Sequence, residues 1–195
     1  TVAGDPRFSN VSPTALHFDG ADDMLRVADD GDSLADFEAA DSFTLEADFR
    51  TTAHAAGGAS GSGPLISKDV GSNSPSFWLR VEGGRVRFLL DDGTNTASVI
   101  STTLVSDGDW HHVAAVRDAS DHELLLYIDN VLDVTAIDGT AGAFANGNDL
   151  LIGAFNASSP GVKRVQGDIA FARGAQGALS ASDFIQPAPE PGTGG

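Results

Sequence analysis

No stretch constrains this chain more than residues 107–130. It reads Asp107-Gly108-Asp109-Trp110-His111-His112-Val113-Ala114-Ala115-Val116-Arg117-Asp118, then a polar break at 119–122, then Leu124-Leu125-Leu126-Tyr127-Ile128-Asp129-Asn130. Trp110, Val113 and Val116 give the first segment bulk, and Leu124, Leu126 and Ile128 alternate along the second, which predicts two strands. Asp129-Asn130 then turns the chain, because both residues tolerate the left-handed backbone of a tight hairpin. Antiparallel strands with one face buried demand a second layer to bury that face against.

The rest of the chain supplies it. Phe43, Leu45, Ala47 and Phe49 alternate with Thr44, Glu46, Asp48 and Arg50, a half-buried strand. Phe77, Leu79 and Val81 alternate with Trp78, Arg80 and Glu82, Gly83-Gly84 turns the chain, and Val86, Phe88 and Leu90 return. Shorter strands are expected at 15–18, 24–27, 64–68, 97–104, 131–137, 149–155 and 162–172. One helical turn is expected near Leu34 and Phe37, and another at Leu179–Phe184, started by Ser180. Residues 52–63 form an Ala/Gly/Ser-rich loop. A dozen short strands without a long helix predict a sandwich or barrel. The domain is expected over 14–186, between a polar lead-in at 1–13 and a Pro/Gly-rich tail at 187–195.

Composition narrows the function. The 195 residues carry 28 Asp+Glu against 11 Lys+Arg, a net charge of −17, and such a surface repels phosphate backbones and anionic membranes. No cysteine is present, which removes disulfides, thiol catalysis and zinc–thiolate sites. No apolar run approaches the ~20 residues that cross a bilayer. No secretion signal opens the chain, as would also be the case after removal of a signal peptide.

Eight short motifs, in order, carry a family resemblance. They are Ala15-Leu16-His17-Phe18-Asp19-Gly20, Phe43-Thr44-Leu45-Glu46-Ala47, Leu65-Ile66-Ser67-Lys68, Gly108-Asp109-Trp110-His111-His112-Val113-Ala114, Leu126-Tyr127-Ile128-Asp129-Asn130, Leu151-Ile152-Gly153, Gly167-Asp168-Ile169 and Leu179-Ser180. Over residues 14–185 the chain resembles the laminin G-like and pentraxin-like domains of the concanavalin A-like jelly-roll superfamily. The resemblance implies an all-β jelly-roll sandwich of two antiparallel sheets. It makes Trp110 a core anchor, with His111 and His112 on opposite faces of one strand. The superfamily hosts lectins, adhesion modules, calcium-dependent binders and some glycosidases, so function rests on the site.

Catalysis finds little support in the sequence. Jelly-roll glycosidases place carboxylates at alternate positions of one strand, and no Glu-x-Asp-x-x-Glu run exists here. Asp168-Ile169-Ala170-Phe171 offers one acid, and no nucleophile-elbow sequence is present. The chain is expected not to be an enzyme.

For a metal, relatives hold calcium near the chain ends or on the loop rim, with aspartates and carbonyls as ligands. The resemblance makes Asp19 and Asp168 candidates for one structural calcium, a hard ion that takes oxygen ligands. The chain departs from its relatives at Ala170, Ser76 and Asn156–Ser159, where carboxylates would otherwise stand, so the double-calcium pentraxin site is expected to be missing. The alternative is that Asp19 only closes a turn.

For a ligand, alternation places Trp78, Arg80, Arg87, Leu125 and Tyr127 away from the core. Aromatic planes stack on sugar C–H faces and arginine forks grip hydroxyls or carboxylates. Arg80, Arg85 and Arg87 hold three of eleven cationic residues within eight positions, which points to an acidic glycan. The alternative is that these arginines pair with local carboxylates and a loop covers Trp78. The tail Pro187-Ala188-Pro189-Glu190-Pro191-Gly192-Thr193-Gly194-Gly195 reads either as a stiff interdomain linker or as a sorting signal lacking its hydrophobic helix. Both place the domain outside the cytoplasm or on a bacterial surface. The expectation is a non-catalytic carbohydrate-binding, lectin-like module, with possible calcium and protein partners. The alternative is a structural or protein-adhesion module without glycan affinity.

Overall fold

The computed structural model describes residues 2–3, 7–8, 15–29, 31, 35–53, 63–69, 74–155 and 164–185. Among the described residues fourteen strands form: β1 (Val2–Ala3), β2 (Arg7–Phe8), β3 (Leu16–Asp19), β4 (Met24–Val27), β5 (Phe43–Arg50), β6 (Pro64–Lys68), β7 (Pro75–Glu82), β8 (Arg85–Asp92), β9 (Thr96–Leu104), β10 (Trp110–Asp118), β11 (Glu123–Ile128), β12 (Val131–Ile137), β13 (Leu150–Ile152) and β14 (Gln166–Gln176). They make two antiparallel sheets of seven strands, ordered β1-β4-β13-β6-β7-β8-β9 and β12-β11-β10-β5-β14-β3-β2. The described residues contain no helix, hence none long and apolar enough to cross a membrane. The fold is the expected jelly-roll sandwich.

The hairpin residues behave as their chemistry dictates. Asp129 and Asn130 take φ of 53° and 63°, and Gly83 and Gly84 take 58° and 78°, the left-handed pair that suits a two-residue hairpin loop. Strand alternation then sorts the faces. Phe43, Leu45, Ala47, Phe49, Phe77, Leu79, Val86, Phe88, Leu124, Leu126 and Ile128 all point into one core between the sheets. Phe43 stacks on Phe37 at 3.9 Å and meets Phe77, Phe88 and Phe144 at 5.6–6.2 Å.

Four expectations change. The lead-in at 1–13 contributes an edge strand to each sheet, since β1 pairs with β4 and β2 with β3. Phe37 lies buried in a loop rather than on a helical turn, and Leu34 lies outside the described residues. Trp110 is no core anchor. It sits half-buried on the outer face of the second sheet, because Val113 and Ala115 take the inward positions of β10 and even-numbered residues point out. Val116 points out for the same reason, under Phe184. The turn at Leu179–Phe184 does form, with Ser180 Oγ donating to Asp183 and the Asp183 N–H to the Ser180 carbonyl. The tail at 187–195 and most of the loop at 52–63 lie outside the described residues.

Buried charges fasten the loops to this frame. Arg117 lies beside the core and donates to Asp138 (2.7 Å) and to the carbonyls of Ala39 (3.0 Å) and Asp41 (2.6 Å). Lys68 bridges Asp29 and Asp36, tying the segment that carries Phe37. At the open side of the sandwich, Asp133 of β12 accepts the N–H and hydroxyl groups of Thr102 and Thr103 on β9, closing one sheet edge against the other.

Candidate functional site

The proposed shared face of Trp78, Arg80, Arg87 and Tyr127 does not exist as one surface. Strands β7 and β8 belong to the first sheet and β11 to the second, so their outward residues lie on opposite sides of the molecule. Alternation identifies inward and outward but not which sheet a strand joins, and that is where the expectation failed.

On the first sheet, Trp78 is sealed, with 8% of its surface exposed. The Arg80 guanidinium lies 4.5 Å from its ring centre and that of Arg87 5.5 Å, while Phe155 abuts it edge-on at 5.6 Å. Glu82 takes ion pairs from both Arg80 and Arg87, and Arg87 also reaches Ser98. Burial works against ionisation of Glu82, but these two arginines outweigh it and hold its carboxyl below the ordinary range. Arg85 donates to the Ser101 and Thr102 carbonyls. These three arginines are thus engaged within the sheet. On the second sheet, Tyr127 packs edge-on against Phe184 at 5.1 Å.

The outer face of the second sheet presents a different constellation, which β5 organises because it lies at the centre of that sheet. Thr44, Glu46, Asp48 and Arg50 point outward from it. Register then sets Trp110 and Asp168 beside Arg50, and His17 beside Asp168. Asp168 accepts from Arg50 Nε (3.2 Å) and Nη2, and pairs with His17 Nδ1 at 2.9 Å. So held, the Arg50 guanidinium lies 5.2 Å over the half-buried Trp110 ring, with the exposed His17 alongside. Asp168 is therefore an anchor for Arg50 and His17 and not a partner of Asp19, which stands opposite Gln166.

One row further along lie Asp48 and His112, then Glu46. Glu46 is fully buried and accepts from His112 Nε2 (3.2 Å), Arg173 and the Ile185 N–H (3.0 Å). Burial opposes its ionisation, and these donors prevail and hold its pKa below normal. Asp48 has no such set of donors, and burial pushes its pKa up to about 6. Glu46 and Asp48 do occupy alternate positions of one strand. Glu46, however, is locked in ion pairs and covered by the segment through Ile185.

Asp19 finds different company from that expected. Asp19, Asp22 and Asp23 bring three carboxylates within 4.8 Å of one another. Oxygens sharing one calcium at 2.3–2.6 Å lie at most about 5 Å apart, so the set fits that ion. Gly20, at φ 83°, makes the sharp turn, the Ala21 N–H donates to Asp19 (2.7 Å), and the Asp19 N–H donates to the buried Asp23 carboxylate (2.9 Å). The Asp19-Gly20-Ala21-Asp22-Asp23 run was visible in the sequence as an acidic turn, and adjacency of carboxylates was the signal that could have found it. Asp19 and His17 both point outward from β3, so this turn forms the rim of the Arg50–Trp110 surface.

Known proteins bear on this arrangement through fold. Mouse laminin α1 chain, domains LG4-5, superposes with a TM-score of 0.60 at 16% identity, covering 95% of this chain and 47% of that one; this chain thus spans about half of it. A Ruminococcus gnavus sialidase CBM40, bound to α2,3-sialyllactose, superposes with a TM-score of 0.61 at 15% identity, covering 82% of this chain and 93% of that one. No curated protein matches the chain. The family described as the concanavalin A-like lectin/glucanases superfamily matches residues 19–183. With both sheets, the core and the hairpins in agreement, the chain belongs to that superfamily.

Proposed function

We propose that this domain is a non-catalytic carbohydrate-binding module whose binding surface is the outer face of the second sheet around Trp110. The observation that carries the reading is the Arg50 guanidinium, fixed by Asp168, over a half-exposed Trp110 and beside an exposed His17. An aromatic plane receives a sugar's C–H face, and a fixed guanidinium with a neighbouring imidazole receives a carboxylate or hydroxyl pair. An acidic glycan fits this guanidinium with its neighbouring imidazole, and the CBM40 neighbour was solved with a sialylated sugar on the same fold. The chain as a whole, at net −17, turns away nucleic acid and anionic lipid. Calcium at Asp19, Asp22 and Asp23 would supply a fixed positive charge that orders the rim beside His17. The linker-like composition of 187–195 supports a place outside the cell, on a bacterial surface or in a larger secreted protein.

A glycan array of neutral and acidic sugars, read with and without chelator, tests this. Binding is expected, lost in Trp110→Ala and Arg50→Gln and retained in Trp78→Phe. Binding abolished by chelator supports the rim calcium, and binding that persists removes it from the reading. An array without signal in any condition overturns the glycan reading. A protein-adhesion role would then gain weight from Ile100, Leu104, Val131 and Leu132, exposed apolar residues on the two edge strands joined by Asp133.

A further inference from the structure

We propose that Asp48 and His112 form a second, covered subsite for the hydroxyl groups of a bound sugar chain, with the C-terminal strap 177–185 as its lid. This rests on the glycan reading of the Trp110 surface and extends it. Asp48 and His112 face each other across β5 and β10, two residues along from the Arg50–Trp110 pair and on the same face. Two residues of strand advance ~7 Å, the scale of one further sugar residue.

Two atoms here await a ligand. Asp48 and His112 are 7% and 2% exposed, and neither Asp48 Oδ1 nor His112 Nδ1 has a hydrogen-bond partner. Buried polar groups are ordinarily satisfied, so a pair of orphans side by side calls for an explanation. Their neighbours are already committed. Glu46 holds His112 Nε2, Arg173 and the Ile185 N–H, and Asp129 takes the His112 N–H and pairs with His111. With Nε2 engaged by Glu46, His112 Nδ1 is left for a ligand, as is Asp48 Oδ1. A sugar hydroxyl both donates and accepts, so neighbouring hydroxyls of a sugar diol satisfy these two atoms. The carboxylates of Glu46, Asp48 and Asp129 reject a second anion, so the residue received here is neutral.

The lid is held by a small apolar cluster and a few hydrogen bonds. Phe184 is the one fully buried residue of the strap, its ring 5.7 Å from His112 and 5.1 Å from Tyr127, with Leu179 and Ala181 packed beside it. Otherwise the strap rests on the Gly177 N–H to Ser42, Thr44 Oγ1 to the Gly177 carbonyl, the Leu179 N–H to Thr44, the Ile185 N–H to Glu46, and Arg173 to the Asp183 carbonyl. Segments with few fully buried side chains open at lower cost than the core. Lifting this one uncovers the His112 ring beside Asp48. Three titratable groups act on Asp48: Glu46 on its own strand, His112 on β10 and Asp129 after β11. Burial, with Asp129 and Glu46, raises its pKa against the pull of His112. The closed form therefore holds the proton, so closing is favoured in acid and weakens as pH rises through about 6.

The test uses the full chain as wild type, Phe184→Ala and Ile185→Pro, the last removing the donor to Glu46 at an exposed position while its ring also fixes the local backbone. Calorimetry measures affinity for carboxylate-bearing oligosaccharides of one to four residues. Histidine acylation measures exposure of His112 relative to the exposed His122 at pH 5.5 and 8. Both variants are expected to raise the His112 ratio and to tighten binding of the longer sugars about tenfold, the worth of one good hydrogen bond, with no gain for the monosaccharide. Wild-type His112 should be more reactive relative to His122 at pH 8 than at pH 5.5. An unchanged His112 ratio in both variants refutes the lid. A raised ratio without length-dependent gain refutes the subsite while leaving the Trp110 surface intact. No sugar binding by any form sinks both readings.

Discussion

Replacing Arg117 with methionine isolates what the buried charges contribute to this fold. Arg117 is 2% exposed and makes three hydrogen bonds, to Asp138 and to the Ala39 and Asp41 carbonyls, while its guanidinium lies 4.9 Å from the Phe144 ring centre. Methionine fills much of the same volume, so the cavity left behind is small. The cost comes from Asp138, whose side chain would stay fully buried with one charge partner fewer, and from two carbonyls deprived of their donor. Removing one member of a buried ion pair typically costs about 3–5 kcal/mol. For a domain of this size that lowers Tm by roughly 6–20 °C, at 2–4 °C per kcal/mol. Asp138→Asn should cost less, because the amide oxygen still accepts from Arg117 and the Thr140 bonds persist in part. Chemical denaturation of both single variants and the double variant supplies the coupling energy. A loss below about 1 kcal/mol in Arg117→Met, with the Asp138→Asn loss larger, would refute the assignment of Arg117 as the anchor of these loops.

Three further outcomes are expected. Gly153→Ala should destabilise by at least about 2 kcal/mol, since φ is 84° and the new Cβ would lie 2.5 Å from the buried Phe18 ring; an unchanged urea midpoint would contradict this. His111 loses to burial but gains more from Asp129 and Asp107, which raise its pKa. Its stabilisation is complete below the unfolded value near 6.5 and fades as pH climbs through the raised one, so wild type and His111→Gln should converge in Tm between pH 6 and 9. Asp133→Asn should cost no more than about 1 kcal/mol because the clasp is exposed. Burial opposes ionisation of Asp133, its Thr102 and Thr103 donors prevail, and its lowered pKa makes this contribution present above about pH 4 and lost as pH falls further; hydrogen exchange of the Thr102 and Thr103 amides reports the opening.

Inward and outward positions on nearly every long strand were readable from residue order, because the side-chain period of two is local and the core accepts only the apolar set. The Asp129-Asn130 and Gly83-Gly84 hairpins were readable too, since left-handed backbone selects those residues. Val116 and Trp110 mark where that logic ends: bulk alone does not distinguish a core position from an outer face covered by later chain. Which sheet each strand joins depends on long-range pairing. That pairing separated Trp78 from Tyr127, set Asp168 against Arg50 and His17 rather than Asp19, and laid Phe184 across His112. Alternation is written in neighbouring residues, whereas a site assembled from β3, β5, β10 and β14 is written only in the register that brings residues 17, 50, 110 and 168 together.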